Sequence, residues 1–419
     1  MKLARKTYVL GGAHSPFIGK FHPDFIWKGH PDFGKRENPT LEEHLRRAAL
    51  GALEATGVAP SAIEKSVVGN HCGELFTGQA HLGAMLAGAH PDLALKPSLR
   101  VEGACASGGL AAVCAFDAIS AGYDVVLVAG AEMQTTVNAK QGATFLASAS
   151  HFATQRAIDP FTFPCMFARR ARHYREATGL TEAQLDEVVM KAYANANRNP
   201  AAHMQAVKMT PERVAASEKN PRFLDNADYR EFLKVSDCSQ VSDGGSAIVV
   251  VSEAGLQKLG RSPKDAVEVL SCGHATAALQ GDPVDMLALT TTAAAARAAY
   301  EAAGVGPEDV QVAEVHDCFS IAEVMMYEAL GFAKRGEAAR LIDDGATALE
   351  GRLPVNTGGG LVAFGHPVGA TGVKQILEVA RQIRGECGDY QMATRPSLGL
   401  CANMGGDDRT SVVTVLRAG

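Results

Sequence analysis

The chain has 419 residues, of which 47% are hydrophobic and 21% charged, a composition that excludes a disordered protein and calls for two or three packed units. Its 40 Lys and Arg against 46 Asp and Glu leave a formal charge of −6, which gives no electrostatic reason to expect nucleic acid as a partner. No apolar run approaches the roughly 20 residues that a bilayer span needs, the opening residues lack a secretory core, and Arg417-Ala418-Gly419 is not a peroxisomal address, so the expectation is a cytosolic protein without membrane attachment.

In chain order, the first clear element is a helix through residues 52–56 ended by Gly57, after which Pro60 opens a short turn and residues 66–70 read as a strand. Residues 101–105 are extended and Gly-flanked and turn into an Ala-rich helix through Ala121, with Cys105 at the switch. An apolar strand at 124–130 follows. Residues 131–240 then form an insertion too long for a loop, with Met166 near its middle and a helix at 181–197; it should fold over the cleft as a lid and supply pocket residues. Its basic cluster, Arg169, Arg170 and Arg172, is a candidate site for a small anion. A strand at 246–252 closes this half.

The second half repeats the punctuation of the first. Gly304 and Pro307 stand 247 residues after Gly57 and Pro60, the strand at 312–316 follows as 66–70 does, and Asn70 and Asp317 share the same offset. His366 then leads into a helix through Ile383, with strands at 396–401 and 410–416. Chance likeness of Ala-rich α/β units is the alternative to duplication. Duplication predicts a pseudo-twofold, with both strand-to-helix switches facing one cleft.

Four segments carry candidate chemistry. Cys105 sits among small residues at a helix start, a place that admits a bulky acyl group and is expected to lower the thiol pKa; a buried core thiol is the other reading. His366, between Gly365 and Pro367, is suited to act as a neutral imidazole, as base or as hydrogen-bond donor, although it could simply cap its helix. His316 and Cys318 lie two apart beyond an apolar strand, where ligands bind in α/β folds. Cys401, in a strand end followed by Asn403 and glycines, competes with Cys318 as a second thiol. The nine cysteines are odd in number and scattered, with no Cys-x-x-Cys spacing, so neither a disulfide framework nor a metal site is expected.

Taken together, the segment around Cys105, the run 237–244, His316-Asp317-Cys318-Phe319, Gly365-His366-Pro367 and the Cys401 segment resemble the thiolase superfamily, most of all its sterol-carrier-protein type, over essentially the whole chain. The resemblance implies a duplicated α/β fold of two βαβαβαββ halves in α/β/α/β/α layers, with halves at 1–265 and 266–419 and the lid in the first. It implies that Cys105 takes the acyl group, His366 activates it, His316 helps hold an oxyanion, and Cys318, favoured over Cys401, is the second acid/base. Asn403 stands where relatives carry Gly, which bears on the backbone oxyanion contact there. Met166 and Phe319 are implied pocket residues. Coenzyme A is implied as substrate and product, with no resident cofactor and no metal, and the assembly as a homodimer or dimer of dimers. The competing readings are a decarboxylating ketoacyl-synthase-like enzyme, a retro-aldol lyase, against which Cys105 argues, and a CoA-binding subunit that works with a small acyl-CoA-binding partner.

Overall fold

The computed structural model describes residues 2–419. Among the described residues, nine strands form one sheet: β1 (Lys2–His14), β2 (Lys65–Gly69), β3 (Ser98–Val101), β4 (Val125–Glu132), β5 (Gly244–Ser252), β6 (Val267–Thr276), β7 (Val312–Glu314), β8 (Leu398–Gly405) and β9 (Thr410–Ala418). Their order is β3-β2-β4-β5-β1-β6-β9-β8-β7, so each half of the chain occupies one end, and the antiparallel β1–β6 pair joins the halves. β2 runs parallel to both β3 and β4, and β7 parallel to β8, as short right-handed crossovers require.

The principal helices are α1 (Leu41–Thr56), α2 (Ser107–Ser120), α3 (Thr162–Thr178), α4 (Glu182–Ala196), α5 (Thr290–Ala303), α6 (Ser320–Ala329) and α7 (Thr371–Arg384). Strand alternation sorts side chains among three cores. Val68, Leu127 and Val249 face α1 on the outside of the first half. Val67, Val128 and Ile248, together with Cys401 and Val412 of the second half, face α2 and α7. Leu400, Ala402 and Val413 face α5, α6 and the insertion. Period-two alternation thus makes the two ends of the one sheet stand as separate layers, in the order helix, sheet end, helix, sheet end, helix, with α2 and α7 side by side at the centre.

The repeated punctuation has repeated geometry. Gly57 and Gly304 end α1 and α5 in the left-handed conformation, φ 66° and 69°, and Pro60 and Pro307 each open a 3-10 turn. The repeat fails at one strand. β3 leads to Cys105, but its counterpart before His366 is reduced to a single bridge between Ala313 and Val355. Pro354 offers no N–H there, and Asn356, at φ 57°, bonds the strand with its side chain: Oδ1 accepts from the Val315 N–H at 2.8 Å. No helix among the described residues is long and apolar enough to cross a membrane.

The insertion packs against the second half more than it arches freely over the first. Cys165, Phe167, Ala171 and Tyr174 of α3 and Leu185 and Val188 of α4 share a core with α5 and α6. Its basic cluster is consumed by structure: Arg170 is fully buried on Asp407 and the carbonyls of Asp285, Met286 and Ala288, Arg169 pairs with Asp282, and Arg172 with Glu176.

Candidate active site

α2 and α7 begin against each other because glycines face backbone at the contact. A Cβ on Gly108 would lie 2.8 Å from the Gly369 carbonyl and the Gly372 nitrogen, and one on Gly372 would lie 2.1 Å from the Gly109 nitrogen. This approach carries Cys105 and His366 to one place. β7 brings His316 to the same place from the second half. The Sγ of Cys105 and one ring nitrogen each of His316 and His366 lie within 4.8 Å of one another, and the two imidazoles meet edge to face with centroids 5.1 Å apart. His316 and His366 are 1% and 6% exposed, whereas Cys105 is partly exposed, which makes it the most accessible residue of the three.

The turn into α2 is strained and tightly bonded. Ala104 takes φ +54°, and the Ser107 hydroxyl donates to the Ala104 carbonyl at 2.6 Å while accepting from the Gly103 N–H at 3.1 Å. The Ala106 and Ser107 N–H groups are spent on the carbonyls of Gly103 and Ala104, and that of Gly109 on Asn403. The pull of the helix start on the thiol pKa is outweighed. Burial pushes Cys105 up to about 12, only partly offset by the Gly406 N–H and its own N–H, and the nearby carboxylates of Glu132 and Glu102 raise it further. Burial thus favours the neutral thiol over the thiolate.

His366 is neutral for the same reason: burial lowers it to about 3, with the cationic Lys374 adding to the shift. Its Nδ1 is hydrogen-bonded to the Thr371 hydroxyl at 2.6 Å, and that hydroxyl also reaches the Pro367 carbonyl at 3.1 Å. Nε2 is buried without a hydrogen-bond partner, free for a proton delivered from the cleft. Gly365, at φ 120°, directs the ring, and the His366 N–H rests on Ser242 at 3.3 Å. His316 is likewise held well below its ordinary value by burial and by its neighbours His366 and Lys374.

The two candidate second thiols part company. Cys318 is buried, and Cys105 is among the groups that raise its pKa, after burial itself. Cys401 lies in the apolar core between α2 and α7, raised by burial and then by Glu314 and Cys272; the structure does not bring it to the Cys105 cluster. Asn403 reaches the cluster with its side chain: Oδ1 accepts from Gly109 N–H at 3.0 Å, and Nδ2 donates to the Cys105 carbonyl at 3.0 Å and to His316 Nδ1 at 3.2 Å. Met166 is fully buried on α3, and the ring of Phe319 stacks on Phe167 with centroids 4.6 Å apart.

Sequence reasoning missed a supporting layer. Glu132, at the end of β4, accepts from Asn70 Nδ2 at 2.9 Å and from the backbone of His71 at 2.8 Å and Gly369 at 3.0 Å, tying the two halves together beneath the cluster. Asp317 holds the loop leading to His366 through the Leu361 N–H at 2.7 Å. The run at 237–244 is scaffold: Asp243 accepts from the Gln134 and Thr135 N–H groups, and the Ser239 N–H donates to the Cys318 carbonyl. Cys72 stands close enough to Cys105 that a charge on the one raises the other. The signal for this layer was the 247-residue offset, which pairs His71 with Cys318.

Residues 31–254 match the family model described as the thiolase N-terminal domain, and residues 272–418 match the thiolase C-terminal domain-like model. The chain belongs to the thiolase family and is a thiolase-type acyl-CoA acyltransferase. Among its relatives, the acetyl-CoA acetyltransferase of Methanothermobacter thermautotrophicus is 36% identical over 91% of this chain and 96% of its own length. The benzoylsuccinyl-CoA thiolase subunit BbsB of Thauera aromatica is 31% identical over 98% of this chain and 97% of its own. Among solved structures, the Ltp2–ChsH2(DUF35) aldolase superposes with a TM-score of 0.76 at 21% identity, covering 100% of this chain and 99% of that one. The Acat5 thiolase of Ascaris suum in complex with coenzyme A does so with a TM-score of 0.69 at 18% identity over 99% of this chain and 100% of the other.

Proposed function

We propose that this enzyme cleaves or forms 3-ketoacyl-CoA through an acyl group carried on Cys105. The observation that carries this reading is the convergence of the Cys105 sulfur with the nitrogens of His316 and His366 within 4.8 Å at the meeting of two helix starts. In the thiolytic direction, the Cys105 proton passes to His366 Nε2 as Sγ bonds to the keto carbon, since burial favours the neutral thiol and the neutral imidazole. The developing oxyanion is met by the N–H of His316. The bond between C2 and C3 breaks, its electron pair leaves on C2 as the acetyl-CoA enolate, and Cys318 gives that carbon a proton. The incoming coenzyme A thiol then yields its proton to the Cys318 thiolate and attacks the acyl-Cys105 thioester. As the new thioester forms, His366 returns its proton to Cys105. Condensation runs the same steps backwards. A buried, neutral Cys318 suits the acid role.

The two halves are taken as 1–265 and 266–419, with Met166 and Phe319 toward the acyl pocket. β3, half-buried at the end of the sheet and paired only to β2, favours a homodimer. The test is turnover of acetoacetyl-CoA and longer 3-ketoacyl-CoA with coenzyme A by the purified protein and by Cys105→Ser, which should be inactive. Activity in neither would remove the proposal. A second reading is favoured by the subunit status of BbsB and by the DUF35 protein bound to Ltp2. Under it the chain turns over substrate only beside a small partner, and activity that appears on adding a co-purifying protein would select it.

A further inference from the structure

The Cys105, His316 and His366 cluster has the donor set and the proximity of a soft-metal site, one thiol and two imidazoles with ligand atoms within 4.8 Å. What decides between a metal site and an oxyanion site is which nitrogen of His316 carries the proton. A metal-bound imidazole gives its lone pair to the ion and donates its other N–H to an acceptor. An oxyanion donor needs the reverse.

We propose that Asn403 is a positioning residue that holds His316 in the tautomer protonated on Nε2, which makes it a hydrogen-bond donor to the cleft and denies the cluster to a metal ion. The inference rests on the roles proposed above for Cys105 and His316, but its geometry is independent of turnover. Asn403 is buried, and every polar atom of its side chain is committed. The Gly109 N–H, 3.0 Å away, can only donate, so the atom facing it is Oδ1 and the amide orientation is fixed. Nδ2 then faces the Cys105 carbonyl at 3.0 Å, an acceptor, and His316 Nδ1 at 3.2 Å. An amide NH2 has only protons to offer, so Nδ1 must present its lone pair. With Nδ1 accepting from the amide, the ring carries its proton on Nε2.

Asn403 also touches the Cys105 carbonyl and the first turn of α2, so one side chain orients the nucleophile's backbone and the tautomer of the imidazole beside it. Asp at this position would keep an acceptor for the Gly109 N–H and replace the donor toward His316 by a second acceptor. The proton of His316 would then move to Nδ1, leaving the lone pair on Nε2.

The experiment is histidine-ring 15N NMR on the full-length protein, with His316 assigned by a His316→Gln sample, followed by titration with Co2+ alone. In the parent and in the inactive Cys105→Ser variant, His316 should show a protonated Nε2 and a bare Nδ1. In Asn403→Asp the pattern should reverse. Co2+ should bind Asn403→Asp about 10- to 100-fold more tightly than the parent, with a thiolate-to-cobalt band that Cys105→Ser abolishes. A parent His316 protonated on Nδ1 would overturn the proposal, as would an unchanged tautomer in Asn403→Asp. If Asn403→Asp does not fold, the parent spectrum alone decides. A correct tautomer in a protein without thiolase turnover would leave this inference standing while removing the functional one.

Discussion

The approach of α2 to α7 is the structural cause of the site, and Gly372→Ala tests it. A Cβ at 372 would lie 2.1 Å from the Gly109 nitrogen and 2.3 Å from Asn403 Oδ1. Ordinary contact between such atoms is about 3.5 Å, so one helix start must move by roughly 1 Å or more, because backbone cannot rotate away as a side chain can. Overpacking of this kind costs about 1–3 kcal/mol. A 1 Å displacement of reacting groups costs on the order of 100-fold in rate. Gly399→Ala is the matched control: its Cβ would meet Val379 Cγ1 at 2.4 Å and Val312 Cγ1 at 2.9 Å, both side chains, in the same central region but away from the helix starts. Thermal unfolding and steady-state thiolysis should be measured side by side. Both variants should melt earlier, and only Gly372→Ala should lose about two orders of magnitude in kcat. Normal turnover in a destabilised Gly372→Ala, or an equal loss in Gly399→Ala, would refute the reasoning.

Three further outcomes are expected. Because the resting Cys105 is a thiol raised to about 12 and His366 is lowered to about 3, deprotonation of the thiol favours high pH throughout the working range, and alkylation of Cys105 by iodoacetamide should accelerate steadily with pH. A plateau from near neutrality upward would indicate a preformed thiolate–imidazolium pair instead. Cys318→Ala should reduce cleavage of 3-ketoacyl-CoA by about 100- to 10,000-fold while leaving acylation by a simple acyl-CoA, read by intact mass, largely in place; Cys401→Ala should change turnover little, and a reversed pattern would exchange their roles. Lys374 and Glu314 form a fully buried pair at 2.6 Å, so Lys374→Met should destabilise by about 3–5 kcal/mol in urea unfolding, and adding Glu314→Gln should recover most of it. No recovery in the double variant would mean that Lys374 acts through other contacts.

Residues that act through their own position in the repeat were legible in the sequence. Gly57 and Gly304, Pro60 and Pro307, and the switches at Cys105 and His366 mark backbone events that only a few residue types permit, and the structure repeats them. Local pattern could not reveal what depends on contacts across the chain. The helix start at Cys105 leads one to expect a lowered thiol pKa, yet burial outweighs it. Asn403 differs from the residue its motif leads one to expect, and its meaning appears only when Gly109, nearly 300 residues away, is beside it. The joining of the halves by β1 and β6 was likewise invisible, since strand pairing at that distance leaves no local trace. The second half lost a strand because Pro354 and the bonding of Asn356 outweighed the symmetry.

The most direct measurement is peptide mapping of the protein after brief exposure to acetyl-CoA and acid quench. The account predicts a single acetyl group on the peptide bearing Cys105, lost on adding coenzyme A and absent from His366→Ala. Acetyl on the Cys72, Cys318 or Cys401 peptide with none on Cys105, or no covalent adduct in a protein that still turns over, would contradict it.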